Sequence, residues 1–317
     1  MNISDAKKIV SNYYLDLLNR EPDDLGFDHY VNLLVHGKIN SLQLQELFKS
    51  SLEFLDKHPS NIPNLIFLND DVLPELNIVA MYRIKNVERW IEKSLEITSE
   101  ICSKIVILDD GSTDNTVKIC KQFSSVVKIH EQKNLPFDET RDKNLLLQMA
   151  MDCKPDYVLI LDGDEIIMPG MKKILYEDLV YLHPNSDVFE FQVLTMVEQP
   201  NKFKINNPTT TYVHKFLFKV NTQKNLEYFS TKFPYNMHCS RIPDNFNKLN
   251  SVARSRIKIL HYGYYNQQLR QEKYNLYTKM DPNATDFYNY EHIIHPKKFS
   301  IPDDFAYLPK GYYVEDI

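Results

Sequence analysis

The sequence predicts an α/β protein, a mostly parallel sheet covered by helices on both faces and preceded by a small all-α module. Three observations predict it. Residues 1–58 carry apolar side chains at helical spacing. From Asn77 the rhythm changes to strand, helix, strand, helix, the alternation of a parallel sheet with crossover helices. Two acidic clusters, Asp109–Asp110 and Asp162–Glu165, close apolar runs that read as strands. That places both at the carboxyl edge of the sheet, where ligands bind near the point of strand-order reversal.

In the first module, Ile9, Tyr13, Leu17 and Val10, Tyr14, Leu18 recur at helical spacing. "REPDDLGFDHYVNLLVHGK" opens on a Pro-Asp turn, runs as a helix and stops at Gly37. "NSLQLQELFKSSLEFLDK", with Asn40 or Ser41 as N-cap, reads as one third helix. Residues 59–76 contain three prolines and read as a linker. Within 77–265, "NIVAMY", "KIVILDD", "SVVKIH" and "DYVLILD" read as strands. Between them lie an amphipathic helix with Val87, Trp90, Ile91, Ser94 and Leu95 on one side, a Ser/Thr/Asp-started helix in "STDNTVKICKQF", and a helix with Leu146, Met149 and Cys153 on one face. "DVFEFQVLTMVEQ" and "TYVHKFLFKVN" are two further strands; the first puts Phe189, Phe191, Val193 and Val197 on one face and a mixed set on the other. Residues 266–317 read as a helix followed by irregular chain.

The totals exclude several classes. A chain of 317 residues suggests two domains, and 43% hydrophobic with 12% aromatic residues is globular. A net charge of −6 argues against a general nucleic-acid binder, which needs a basic face. The start "MNISDAKKIV" lacks the apolar core of a signal peptide, and no apolar run approaches the ~18 residues that span a bilayer. The expected place is the cytoplasm or its face of a membrane. Cys102, Cys120, Cys153 and Cys239 lie far apart and read as reduced thiols. Glycine is scarce, seven where average usage of ~7% gives about twenty-two. Gly111, Gly163, Gly170 and Gly263 nevertheless fall in or beside the segments that carry chemistry.

In "YVLILDGDE", Asp162 and Asp164 flank Gly163 and can turn toward one point. Three carboxylates including Glu165 repel one another unless water or a cation relieves them. Hard oxygen ligands suit Mg²⁺ or Mn²⁺, which share bound phosphates. In "ILDDGSTDNT", Gly111 permits a tight turn and Ser112 or Thr113 can cap the next helix. A carboxylate just before that turn can accept a nucleobase N–H, which makes Asp110, and secondarily Asp109, candidates for base recognition.

"IVAMYRIKNVERWIEKSLE", "IVILDDGSTDNTVKIC", "DETRDKNLLLQMA" and "YVLILDGDE" occur in the order and spacing of family 2 glycosyltransferases of the GT-A fold, which the chain resembles over about residues 77–170 and more weakly to about 275. The resemblance implies a nucleotide-sugar donor, usually a UDP-sugar, a divalent cation (Mn²⁺ or Mg²⁺) on the D-x-D pair, and inversion at the anomeric carbon. By position it assigns Tyr82, Arg83 and Asp110 to the nucleoside, Arg141 to the base or diphosphate, Asn144 to structural hydrogen bonding, and Asp162 and Asp164 to the metal. His261, in the "H-x-G" of "ILHYGYY", becomes a candidate third ligand, and Arg270 and Lys273 on the following helix become candidates for the diphosphate. The acceptor-side base is expected among His238, Glu190 and Asp244, with His238 foremost; where many relatives carry His-Glu, this chain has His238–Cys239. The acceptor class stays open between a glycan, a lipid-linked sugar and a protein side chain. The first module resembles a small helical module of unassigned function attached to bacterial glycosyltransferases and surface proteins, and reads as a docking or packing module through which two copies could pair. Two other readings compete. A sugar nucleotidyltransferase would carry a Gly-rich loop after the first strand, and "MYRIKNVERW" has no glycine. A non-catalytic binding or scaffold protein would fit the missing acid near His238.

Overall fold

The computed structural model describes residues 1–58, 61, 75–133, 135–205, 211–220, 226–229, 239–244, 251–281, 290–295 and 304–315. The first module has four helices, α1 (Ile3–Leu18), α2 (Asp24–Val35), α3 (Ser41–Ser50) and α4 (Leu52–Lys57). They close their own core around Val10, Tyr14, Leu34, Leu44 and Phe48. The expected single third helix is two. At Ser51 the backbone turns extended (φ −64°, ψ 146°), its hydroxyl accepts the N–H of Phe54, and α4 starts afresh from that cap.

The second body alternates as expected: β1 (Ile78–Ile84), α5 (Glu88–Ile101), β2 (Lys104–Asp109), α6 (Thr116–Cys120), β3 (Val126–Glu131), α7 (Glu139–Met151) and β4 (Tyr157–Asp162). There follow β5 (Glu165–Ile167), α8 (Lys172–Glu177), one π-helical turn (Asp178–Leu182), β6 (Val188–Thr195), β7 (Lys202–Ile205), β8 (Thr211–Lys219), β9 (Val252–His261), α9 (Gln267–Met280), α10 (Glu291–Ile294) and β10 (Asp304–Tyr307). The tail is not wholly irregular, because β10 pairs antiparallel with β7 in a two-stranded sheet.

Among the described residues the main sheet has eight strands in the order β3-β2-β1-β4-β8-β6-β9-β5, and six of them run one way, with β8 and β5 opposed. β1 is buried on both faces, and its alternate residues feed different cores. Ile78, Ala80, Tyr82 and Ile84 face one core with Trp90, Ile91 and Leu95 of α5. Val79 and Met81 face the other with Leu146, Met149 and Ala150 of α7. Both faces of β6 are buried too, which explains its imperfect alternation.

Strand order reverses at β1, between β2 and β4. In register, Ile84 of β1 lies level with Asp109, and Arg83 level with Asp162. The chain passes from Asp162 to Glu165 in three residue steps, at most about 11 Å. Yet β5 is the outermost strand, paired to β9. The sheet therefore curls so that its far end returns to the acidic turn, and His261 arrives opposite Glu165. Gly163 is needed there for space rather than for a left-handed backbone, since a Cβ would lie 2.7 Å from the Val87 side chain.

Candidate active site

A cavity of about 690 Å³ opens at this carboxyl edge, lined among others by Arg83, Lys143, Asp162, Asp164, Arg241, His261 and Lys273. A second, of about 490 Å³, is lined by Asp109, Asp110, Gly111 and Gln132, and Lys85 borders both.

Asp164, His261 and Lys273 meet beside Gly263. Asp164 Oδ2 is 3.5 Å from His261 Nε2 and 3.5 Å from Lys273 Nζ. A Cβ on Gly263 would fall 2.4, 2.6 and 2.7 Å from the Asp164, Lys273 and His261 atoms, so the missing side chain is what lets them converge. Burial pushes the Asp164 carboxyl up, but Lys273 and His261 outweigh it and hold it far below the usual carboxylate range. Burial likewise works against the charge of Lys273, and Asp164 outweighs it and raises the ammonium well above its ordinary value. His261 Nδ1 is buried with no hydrogen-bond partner among the described residues.

Asp162 stands apart from that trio. Its carboxylate is half exposed and faces Arg241, with Nη2 at 3.3 Å from Oδ2. Among the described residues no three of His, Cys, Asp and Glu gather closely enough to enclose a metal ion outright. The donor set nonetheless fits a divalent cation in kind, two carboxylates and an imidazole around one turn.

Beside the turn lies a polar network at the ends of β1, β2 and β3. Arg83 donates to Asp110 and to Asp142, each at 2.9 Å, and Gln132 Nε2 donates to Asp110 at 2.8 Å. Asp142, wholly buried, also accepts two bonds from Arg141. Asp109 is buried, with Oδ2 accepting the Ser112 N–H, and Gly111 takes the left-handed φ of +75° that the turn requires. The helix after the turn starts only at Thr116, so Ser112 does not cap it; its hydroxyl accepts the N–H of Asn86 instead.

The structure places Tyr82, Arg270, Glu190 and Asp244 elsewhere than expected. Tyr82 is core, its hydroxyl bonded to Ser94 and Thr98 under α5. Neighbours on a strand point to opposite faces, so Arg83 turns toward Asp142 of α7 and Tyr82 turns away. Arg270 lines a different hollow and donates to the carbonyl of Tyr264. Glu190 lies within β6, in register with Lys215 and Arg254, and does not line the cavity. Asp244 accepts the N–H of Phe229 and does not line it either. Arg141 borders neither cavity and sits in the Asp142 network. His238 lies outside the described residues. Asn144 exchanges two hydrogen bonds with the backbone of Tyr228, a structural role.

Sequence reasoning missed Arg241, Gln132 and Asp142. Asp142 had a signal, because it falls on the buried stripe of α7 that continues through Leu146 and Met149. A carboxylate on such a stripe needs a partner.

Residues 78–242 match the sequence profile described as Glycosyl transferase family 2. The chain belongs to that family. Residues 2–58 match a domain of unknown function (DUF4214). Among curated relatives, the cholesterol galactosyltransferase of Borreliella burgdorferi is 33% identical over 76 residues, 23% of this chain and 20% of that protein. The glycosyltransferase GlyG of Streptococcus pneumoniae is 33% identical over 79 residues, 24% of this chain and 25% of that protein. The chain thus spans a quarter or less of these two relatives. Among solved structures, S. aureus TarS aligns with a TM-score of 0.40 at 14% identity, covering 70% of this chain and 42% of that one. No described helix of this family 2 member is long and apolar enough to cross a membrane.

Proposed function

We propose that this chain is an inverting glycosyltransferase that moves a sugar from a nucleotide-sugar donor, a UDP-sugar, to an acceptor hydroxyl with a divalent cation, Mn²⁺ or Mg²⁺. The observation that carries the reading is the convergence of Asp164, His261 and Lys273 beside Gly263, on the same sheet edge as Asp110 and Arg83. Asp164, His261 and Asp162 would hold the cation, which when bound offsets the charge growing on the leaving diphosphate.

The chain's own residues supply the rest. Asp110 offers its carboxylate to a nucleobase N–H, held in place by Arg83 and Gln132. Lys273 can turn from Asp164 to a diphosphate oxygen, since a four-carbon stem swings a point charge freely. A base takes the acceptor proton as the acceptor oxygen bonds to the anomeric carbon from the face opposite the leaving group. The bond from that carbon to the phosphate oxygen breaks, and the pair stays on the nucleoside diphosphate. Glu190 and Asp244 do not line the cavity, and His238 is the base of this reading. The acceptor is a glycan, a lipid-linked sugar or a protein hydroxyl.

The test is calorimetric binding of UDP with Mn²⁺ and with EDTA, together with UDP release from a panel of UDP-sugars. Asp164→Ala should abolish the Mn²⁺-dependent part of UDP binding. If that variant still binds UDP in the same Mn²⁺-dependent way, the metal assignment is wrong; binding without turnover of any sugar nucleotide would favour the scaffold reading.

A further inference from the structure

The third carboxylate of the acidic turn has no part in the reading above, and it is buried. Glu165 is 2% exposed, and burial pushes its carboxyl up despite the pull of Arg241. Two parallel bonds of 2.7 Å join it to that guanidinium. The same Nη2 reaches Asp162 Oδ2 at 3.3 Å. Glu165 Oε2 also accepts the backbone N–H of Asp162 at 2.9 Å. Asp162 is therefore gripped twice, at its main chain by Glu165 and at its carboxylate by Arg241.

The grip is itself braced. The guanidinium carbon lies 4.3 Å from the centre of the Phe216 ring. The carbonyl of Arg241 accepts the Tyr228 hydroxyl at 2.8 Å, and Lys143 of α7 donates to the carbonyls of Cys239 and Ser240. The 239–244 segment thus ties α7, on the nucleotide side, to the D-x-D turn.

We propose that Arg241, seated by Glu165, is a positioning residue for Asp162. It engages Oδ2 and leaves Oδ1 as the oxygen offered to a divalent cation. The turn then holds two metal-facing carboxylates and one anchor, rather than three ligands. A planar fork makes this geometry, because one guanidinium must meet two carboxylates in fixed directions. The inference rests on the metal-dependent reading above.

The test is Mn²⁺ binding to the full chain, followed by loss of the free-Mn²⁺ EPR signal, with and without UDP, for wild type, Arg241→Lys and Glu165→Gln. Arg241→Lys keeps the charge and loses the fork, so the Mn²⁺ half-saturation point should rise about tenfold, as for other groups that orient a ligand. Glu165→Gln should move it the same way, and the double variant should do no worse than the stronger single. A folded Arg241→Lys protein with Mn²⁺ affinity within about twofold of wild type overturns the proposal. Should that variant fail to fold, the isosteric Glu165→Gln decides by the same criterion. A wild-type chain that binds no Mn²⁺ refutes the metal-dependent reading instead. The grip is then judged without metal from melting temperatures, where non-additive losses support it and additive losses overturn it.

Discussion

Gly263→Ala tests the convergence of Asp164, His261 and Lys273 directly. Gly263 is not one of the glycines with left-handed φ, which are Gly37, Gly111, Gly170 and Gly311, so alanine meets no backbone penalty. The added methyl would instead sit 2.4 Å from Asp164 Oδ2, 2.6 Å from Lys273 Nζ and 2.7 Å from His261 Nε2. Non-bonded atoms settle near 3.5–4.0 Å, so the three groups must withdraw by about 1 Å. Lys273 can bend away, but His261 is fixed at the end of β9, so Asp164 and the imidazole part company. A displacement of that size can cost about a hundredfold in a reaction that depends on placement. Stability should fall by about 1–3 kcal/mol, because the methyl overpacks the site and loosens the pairs that hold Asp164 charged. The assay pairs scanning calorimetry with Mn²⁺-dependent UDP binding. A variant of unchanged melting temperature that binds UDP and Mn²⁺ like wild type would refute the convergence argument.

Three further outcomes are expected. Lys273→Met removes a cation 3.5 Å from Asp164, so Mn²⁺ should bind the nucleotide-free protein on the order of tenfold more tightly while UDP binds more weakly, both read by calorimetry. Asp142→Asn leaves the Arg83 and Arg141 guanidinium groups without their shared buried carboxylate, and should cost about 3 kcal/mol in urea denaturation and weaken UDP binding. Asp164 is held below its ordinary range in the folded state, so its contribution to stability is fully present above about pH 4 and is lost as pH falls toward the folded value. The wild-type acid-denaturation limb should therefore steepen below about pH 4, and Asp164→Asn should flatten it.

Much of the architecture was legible in the chain. Strand and helix alternation from Asn77 gave the parallel half of the sheet, because strands buried on both faces read as apolar runs and their crossover helices as amphipathic stripes. β5, β7 and β10 were not legible; they have three or four residues each, too few for a period to register. Arg241 had no local signal, since it lies in no helix or strand and only its contacts with Glu165, Asp162 and Phe216 give it meaning.

By itself the sequence determined that carboxylates close two strands of a parallel sheet, and so that Asp110, Asp162 and Asp164 arrive at one edge. That follows from local periodicity and from where such sheets present their strand ends. Only the tertiary structure decided what each carboxylate faces. The parity of β1 sent Arg83 to the site and Tyr82 to the core. The curl of the sheet brought His261 and Lys273 from about a hundred residues along the chain onto Asp164. And the acidic turn, whose self-repulsion the sequence could state but not resolve, is relieved in unequal ways: Asp164 by Lys273, Asp162 and Glu165 by one shared guanidinium. Charge neutralisation acts over a few ångströms, and such distances between residues far apart in the chain are set by packing.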